Sequence, residues 1–190
     1  MPEARDLPLF RWGAELRRAR TARRRLTKRL LAGGLLCGLV LATAAGAPRP
    51  RVVWNVSDSM ARGPYWVRPD APLARGDAVV AWLPPAARAL AAERHYLPGN
   101  VPLVKKVAAL EGDLVCAIGE ALYINGRHAA ARLHHDRRGR PLPWWTGCGR
   151  IAEGHYLLLM GEVPASYDGR YFGPVPGRAI LGKAVLLWAL

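Results

Sequence analysis

Eighteen consecutive residues without a charge, 30–47 (LLAGGLLCGLVLATAAGA), most constrain what this chain can fold into. A helix needs about 17 to 25 predominantly apolar residues to cross a bilayer, so this stretch predicts a transmembrane anchor. A cleaved signal peptide is the alternative, because the small residues at 44–47 resemble a cleavage site. The long basic segment before the stretch and Pro48 after it favour an anchor that is not cleaved.

The net charge of +14 raises the question of a nucleic-acid partner. Half of this charge lies in residues 1–29, which contain ten Arg or Lys residues and three acidic residues directly before the apolar stretch. Basic residues at this position are typical of the cytoplasmic flank of a membrane span, where they interact with anionic lipids. We therefore expect a basic cytoplasmic segment (1–29), an anchor (30–47) and an exported domain (48–190), with membrane lipid and not nucleic acid as a partner.

The exported part has the composition of a mostly β domain. The whole chain contains 16 prolines and 20 glycines, and its apolar runs are short and bounded by turn residues. An Ala-rich segment bracketed by prolines (84–98) predicts one short helix. The pair Asn125-Gly126 predicts a tight hairpin, because it favours a type I′ turn. Strands are predicted within 51–56, 65–67, 76–83, 103–110, 114–118, 121–129, 154–160 and 179–190, and a surface loop over 132–150.

Export also changes the interpretation of the three cysteines. Cys37 lies in the apolar stretch, whereas Cys116 and Cys148 lie in the exported domain. An oxidising compartment permits disulfides, so we expect Cys116 and Cys148 to pair.

Ser59 lies in a polar loop, NVSDSMARGP (55–64), between two strand-like segments. Such a serine either caps a turn or is a nucleophile exposed beside a cleft on rigid strands. Histidine is the usual base for serine, but none of the five histidines stands in a distinctive motif. The pattern therefore disfavours a Ser-His-Asp triad. It also disfavours a metal site at His134, His135 and Asp136, and we expect neither a metal nor a cofactor.

Lys105 and Lys106 lie inside an otherwise apolar strand, PLVKKVAAL (102–110). Because side chains alternate across a strand, only one of the two can face the core. Burial lowers the pKa of a lysine, so that its amine can be neutral and act as a base, which arginine cannot do. A solvent-exposed charge pair is the alternative interpretation of the same residues.

Three segments together resemble the type I signal peptidases: SDSM (57–60), LVKKVAALEGD (103–113) and MGEVPASYDGRYFGPV (160–175). These are Ser-Lys proteases anchored at the exported face of the bacterial inner membrane. The sequence RGPYW (62–66) and the single predicted anchor are closest to the conjugative-transfer, TraF-like branch. The resemblance covers residues 52–190 and implies a signal-peptidase-like, β-rich catalytic domain in the periplasm.

The resemblance also implies a role for each matching residue. Ser59 corresponds to the nucleophile, and its backbone N–H together with the Ser57 hydroxyl corresponds to the oxyanion hole. Lys105 corresponds to the general base, and Ser166 to the serine that orients this lysine.

A structural ion pair of the family corresponds to Asp168 and Arg170. Two positions differ from the family pattern: GEV (161–163) replaces the usual Gly-Asp-Asn, and Gly169 replaces a common serine. The first difference leaves the role of Glu162 open, and neither removes a catalytic group.

We therefore expect a membrane-anchored serine endopeptidase that cleaves exported precursors after small residues. The substrate that we favour is a conjugative or type IV secretion pilin precursor. Resolution of the acyl-enzyme by water or by the product's own amine is left open. A general type I signal peptidase is one alternative. A non-catalytic, membrane-tethered component of a secretion apparatus is another, which the presence of all four matched residues disfavours.

Overall fold

A computed structural model of the protein describes residues 8–45 and 50–190, and the chain divides into two units, 1–48 and 49–190. The first unit contains one helix, α1 (Pro8–Ala45), which joins the basic segment and the uncharged stretch in a single run of 38 residues. Among the described residues, no helix combines the length and the apolar content that crossing a membrane requires. The predicted span is therefore not confirmed, and its residues 46 and 47 lie outside the described ranges.

The second unit is mostly β, which confirms the predicted class. Its helices are α2 (Pro85–Glu93), α3 (Gly169–Phe172) and a 3-10 helix (Gly177–Ala179). Its strands are β1 (Val52–Asn55), β2 (Gly63–Arg68), β3 (Ala78–Ala81), β4 (Leu103–Ala109), β5 (Leu114–Ile118), β6 (Ala121–Ile124), β7 (Arg127–Ala131), β8 (Gly147–Arg150), β9 (His155–Leu159), β10 (Val175–Pro176) and β11 (Ile180–Leu186).

The strands form two antiparallel sheets. The larger sheet has seven strands in the order β1-β2-β11-β3-β4-β9-β10, and the smaller has four in the order β7-β6-β5-β8. The β1–β2 hairpin, which carries the serine loop, therefore lies at one end of the larger sheet. The lysine strand β4 lies in its interior, between β3 and β9.

Strand β4 is fixed by all three apolar clusters of the domain. Leu103 and Val107 pack in the cluster shared by β3, β4 and α2. Ala109 belongs to the cluster between β9 and the smaller sheet, and Val104 to the cluster of β1, β2 and β11. Each fully buried Val or Leu side chain contributes about 1.5 to 3 kcal/mol, so β4 is a rigid support for the side chains it carries.

The predicted hairpin is confirmed. Asn125 and Gly126 connect β6 and β7 with φ of 50° and 76°. A type I′ turn needs positive φ at both central residues, and the Asn-Gly pair accepts this conformation.

The predicted surface loop over 132–150 is wrong in two respects. Its last four residues form β8, which pairs with β5. Arg132 is buried, because its guanidinium stacks 3.8 Å from the ring centroid of Trp144 and donates a 2.6 Å hydrogen bond to the carbonyl of Trp145. No hydrophobic periodicity in the sequence indicates either feature. Strand β8 is exposed, and the tryptophans that bury Arg132 lie twelve and thirteen positions later, outside any strand.

The cysteines of the smaller sheet lie opposite each other. Cys116 on β5 is the register partner of Cys148 on β8, and their Sγ atoms are joined in a disulfide. This bond ties β8 to β5, and thereby attaches the end of the 132–150 segment to the sheet.

Candidate active site

The serine loop connects β1 to β2 and places its nucleophile candidate in a nearly buried position. Ser59 is 8% exposed, and its Oγ lies 3.1 Å from the Oγ of Ser57. The chain contains three serines, and the third, Ser166, also lies at this site.

One side chain that the sequence pattern did not single out holds this loop. Asn55, the last residue of β1, donates from Nδ2 to the carbonyl oxygens of Ser57, Met60 and Ala61, each at 3.1 Å. Its Oδ1 accepts from the backbone N–H of Ser57 at 3.2 Å and from the Ser57 hydroxyl at 2.8 Å. Asparagine is common in turns for this type of bonding, so only its position just before the serines could have indicated the role.

The structure distinguishes the two adjacent lysines. Lys105 faces the core and is 5% exposed, whereas Lys106 lies on the other face of β4 and is half-buried. The Nζ of Lys105 lies 2.5 Å from Ser59 Oγ and 2.9 Å from Ser166 Oγ. The lysine that resembles the family's base is therefore the one that contacts the serine.

The surroundings of Lys105 favour its neutral form. The pKa of its amine falls from 10.5 to about 8, chiefly because burial disfavours the charged form; the negative charge of Asp168 opposes this shift and the positive charge of Arg170 adds to it. Both hydrogen-bond partners named above are hydroxyl groups, which do not neutralise an ammonium. A measurable fraction of the amine is thus unprotonated at slightly alkaline pH.

Ser166 is held by a turn that follows β9. Its backbone N–H donates to the carbonyl of Val163 at 3.1 Å, and its side chain is buried against the amine of Lys105. Glu162, at the start of the same turn, is exposed. The hydroxyl of Ser166 is therefore a second partner that holds the amine beside Ser59.

Asp168 and Arg170 form a fully buried ion pair at 2.8 Å, with both side chains 0% exposed. Arg170 also donates to the carbonyl oxygens of Met160, Pro164 and Ala131 at 2.7, 3.1 and 2.9 Å. The other oxygen of Asp168 accepts from the N–H of Met160 at 3.0 Å. The pair thus ties the turn that carries Ser166 to β7 and to the end of β9.

The presence of glycine at position 169, between these two residues, has a steric explanation. A Cβ at this position would lie 2.8 Å from the carbonyl oxygen of Leu158 and 2.8 Å from Cδ1 of Leu157. The space that a serine side chain would need is occupied by β9.

We expect Arg170→Met to destabilise the protein by about 3 to 5 kcal/mol, because it leaves the Asp168 carboxylate buried without its partner. The free energy of unfolding in urea measures this loss. Arg62→Met is the matched control: Arg62 pairs with Asp58 at the surface, so its loss should cost at most about 1 kcal/mol. Equal small losses in the two variants would show that the buried pair does not hold the turn.

Two residues of the alternative metal site at His134, His135 and Asp136 have other side-chain partners. Asp136 accepts hydrogen bonds from Arg140 and from the Tyr96 hydroxyl, and His134 bonds to Glu120. In the described part of the chain, no group of His, Cys, Asp and Glu side chains is placed to hold a metal ion. Asp136 thus attaches the 132–150 segment to Tyr96, which follows α2, and His134 attaches it to the turn between β5 and β6.

The arrangement can transfer a proton within the site. Ser57, Ser59, Lys105 and Ser166 form one continuous chain of hydrogen bonds. A neutral amine within hydrogen-bond distance of a hydroxyl can remove its proton and make the oxygen nucleophilic.

Comparison with known proteins finds relatives among signal peptidases and conjugal transfer proteins. Residues 23–189 match the family model described as signal peptidase, peptidase S26. A plasmid transfer protein TraF of Escherichia coli is 34% identical over 180 residues, which are 86% of this chain and 99% of the relative. A probable conjugal transfer protein TraF of Sinorhizobium fredii (strain NBRC 101917 / NGR234) is 35% identical over 182 residues, 86% of this chain and 92% of the relative. A solved signal peptidase I of Enterococcus faecalis V583 is 22% identical, with a TM-score of 0.36 over 60% of this chain and 97% of that chain.

Proposed function

The chain belongs to the peptidase S26 family of signal peptidases, in its TraF-like branch, and we propose that it is a serine endopeptidase in which Ser59 and Lys105 form the catalytic dyad. One observation carries this proposal: a buried lysine amine lies 2.5 Å from the hydroxyl of a loop serine and 2.9 Å from a second hydroxyl. A structural lysine would be expected to pair with a carboxylate, whereas a base must be able to become neutral.

In the proposed reaction, neutral Lys105 accepts the proton of Ser59 while Oγ attacks the carbonyl carbon of the scissile peptide bond. The backbone N–H of Ser59 and the hydroxyl of Ser57 stabilise the resulting oxyanion. Lys105 then protonates the leaving amine, and the C–N bond breaks to leave an ester on Ser59. A nucleophile, either water or an amine of the product, attacks this ester and releases the enzyme.

We infer the substrate from the relatives. Two of them are named for plasmid and conjugal transfer, so we propose that the substrate is an exported precursor of such a system, first of all a pilin precursor cleaved after small residues. A general type I signal peptidase would cleave unrelated exported precursors equally well.

The test is co-expression of the protein with the pilin precursor of its own transfer system and, separately, with an unrelated exported precursor. Mass spectrometry of both precursors gives the cleavage site and the cleaved fraction. We expect the pilin precursor to be cleaved and the unrelated one to remain intact. Equal cleavage of both would favour the general peptidase, and cleavage of neither would favour a non-catalytic component.

We also propose that the protein is a single-pass protein of the bacterial inner membrane with its catalytic domain in the periplasm. The ten basic residues of 1–29 and the uncharged stretch 30–47 support this orientation. A reporter that works only in the periplasm should be active when fused after Leu190. The same fusion in a chain that lacks 30–47 is the control and should be inactive, and an inactive but stable full-length fusion would contradict the orientation.

A further inference from the structure

Both polar atoms of the Asn55 side chain, Nδ2 and Oδ1, make hydrogen bonds within the serine loop. It is 6% exposed, and its Nδ2 faces three carbonyl oxygens while its Oδ1 faces the N–H and the hydroxyl of Ser57. These partners fix the orientation of the amide, because the reverse orientation would place an oxygen against three carbonyl oxygens. Oδ1 is therefore an acceptor, and its partner hydroxyl is a donor.

This assignment determines where the hydrogen of Ser57 lies. A serine hydroxyl has one hydrogen, and that of Ser57 is donated to Asn55 Oδ1 at 2.8 Å. While Lys105 is protonated and donates to Ser59, Ser59 can donate across the 3.1 Å contact between the two serine hydroxyls. Once Lys105 is neutral and accepts the hydrogen of Ser59, neither serine donates across this contact. The Ser57 hydroxyl consequently cannot stabilise an oxyanion until its hydrogen leaves Asn55.

We propose that Asn55 is a positioning residue that holds the Ser57 hydroxyl beside Ser59, and that the hydrogen bond of this hydroxyl shifts from Asn55 Oδ1 to the oxyanion as the tetrahedral intermediate forms. The O–H bond of Ser57 stays intact, and only its acceptor changes. The inference rests on the proposed function and assigns to it a further residue.

The energetics of the shift favour the transition state. In the free enzyme the bond joins two neutral groups, whereas the bond to the oxyanion is charge-assisted and roughly twice as strong. Only interactions that strengthen in the transition state raise the rate of the chemical step. A carboxylate in place of the amide would hold the hydrogen about as strongly as the oxyanion does, and this gain would disappear.

The test is Asn55→Asp in the full-length protein, assayed on the pilin precursor. We expect kcat to fall about 10²-fold, the size of effect seen when an oxyanion donor is lost, with KM changed less than about threefold. Asn100→Asp introduces the same charge at an exposed position and should leave both constants unchanged.

A double-mutant cycle with Ser57→Ala separates positioning from a structural role. If Asn55 acts through the Ser57 hydroxyl, Asn55→Asp should cost less than about fivefold in the Ser57→Ala background. The same loss in both backgrounds, or a wild-type kcat in Asn55→Asp, would overturn the inference. If the Asp variant does not accumulate, Asn55→Ala runs the same cycle with the same expectation.

Failure of the proposed function gives a different result. In that case the wild-type protein would leave the precursor intact, or Ser59→Ala would still cleave it. Wild-type cleavage that depends on Ser59 but shows no coupling between Asn55 and Ser57 would contradict this inference alone.

Discussion

Ser59→Ala should leave the precursor uncleaved, with activity reduced by about 10⁴-fold or more, because the substitution removes the proposed nucleophilic oxygen, which lies 2.5 Å from the Lys105 amine. The protein itself should still accumulate. Lys105 keeps its hydrogen bond to Ser166, so we expect the free energy of unfolding to change by less than about 1 kcal/mol. The measurement is the cleaved fraction of precursor over time, with urea unfolding of the same preparations.

Thr146→Ala is the control for the loss of a hydroxyl, since Thr146 is exposed on the segment before β8. It should cleave at the wild-type rate. Residual cleavage by Ser59→Ala above a few per cent of wild type would assign the nucleophile elsewhere and remove the proposed dyad.

Lys105→Arg should be as inactive as Ser59→Ala. Arginine keeps the positive charge and the reach of the side chain, but it stays protonated at every working pH and cannot accept the proton of Ser59. An electrostatic role of Lys105 would survive this substitution, whereas a role as base would not. Lys106→Ala is the matched control and should retain activity, because Lys106 lies on the other face of β4.

The pH dependence of the wild-type protein follows from the same assignment. Burial lowers the pKa of Lys105 to about 8, so the amine is mostly protonated below pH 8 and mostly neutral above it. Activity should therefore rise with pH, reach half its maximum near pH 8, and fall about tenfold for each pH unit below that value. A rate that increases as the pH falls, or full activity in Lys105→Arg, would contradict the role of Lys105 as base.

The parts of the fold that follow from local chemistry could be predicted from the sequence. Strand β4 follows from its apolar run, and alternation predicts that only one of its two lysines is buried. The choice of Lys105 over Lys106 came from the family resemblance. The hairpin at Asn125-Gly126 follows from the positive φ that its turn requires. The grouping of Ser57, Ser59, Lys105 and Ser166 followed from family resemblance, since no spacing rule brings such distant positions together.

The features that were not predicted depend on partners distant in sequence or in a different kind of element. Strand β8 has both faces exposed, so it carries no alternating pattern and is defined by its pairing with β5. The burial of Arg132 depends on tryptophans twelve and thirteen positions later. From sequence alone, Asn55 cannot be distinguished from an ordinary turn residue, because its role depends on how the loop folds around it.

The strand order has a consequence for how the protein matures. In the hydrogen bonding of the larger sheet, the β1–β2 hairpin, which carries Ser59, is joined to the β3–β4 pair, which carries Lys105, through β11, the last strand along the chain. Ser59 and Lys105 are 46 residues apart in sequence, and Lys105 and Ser166 are 61 apart, so we expect their contacts to form only after slow, long-range pairing. The proposed dyad is therefore brought together within the sheet only when β11 joins its two parts.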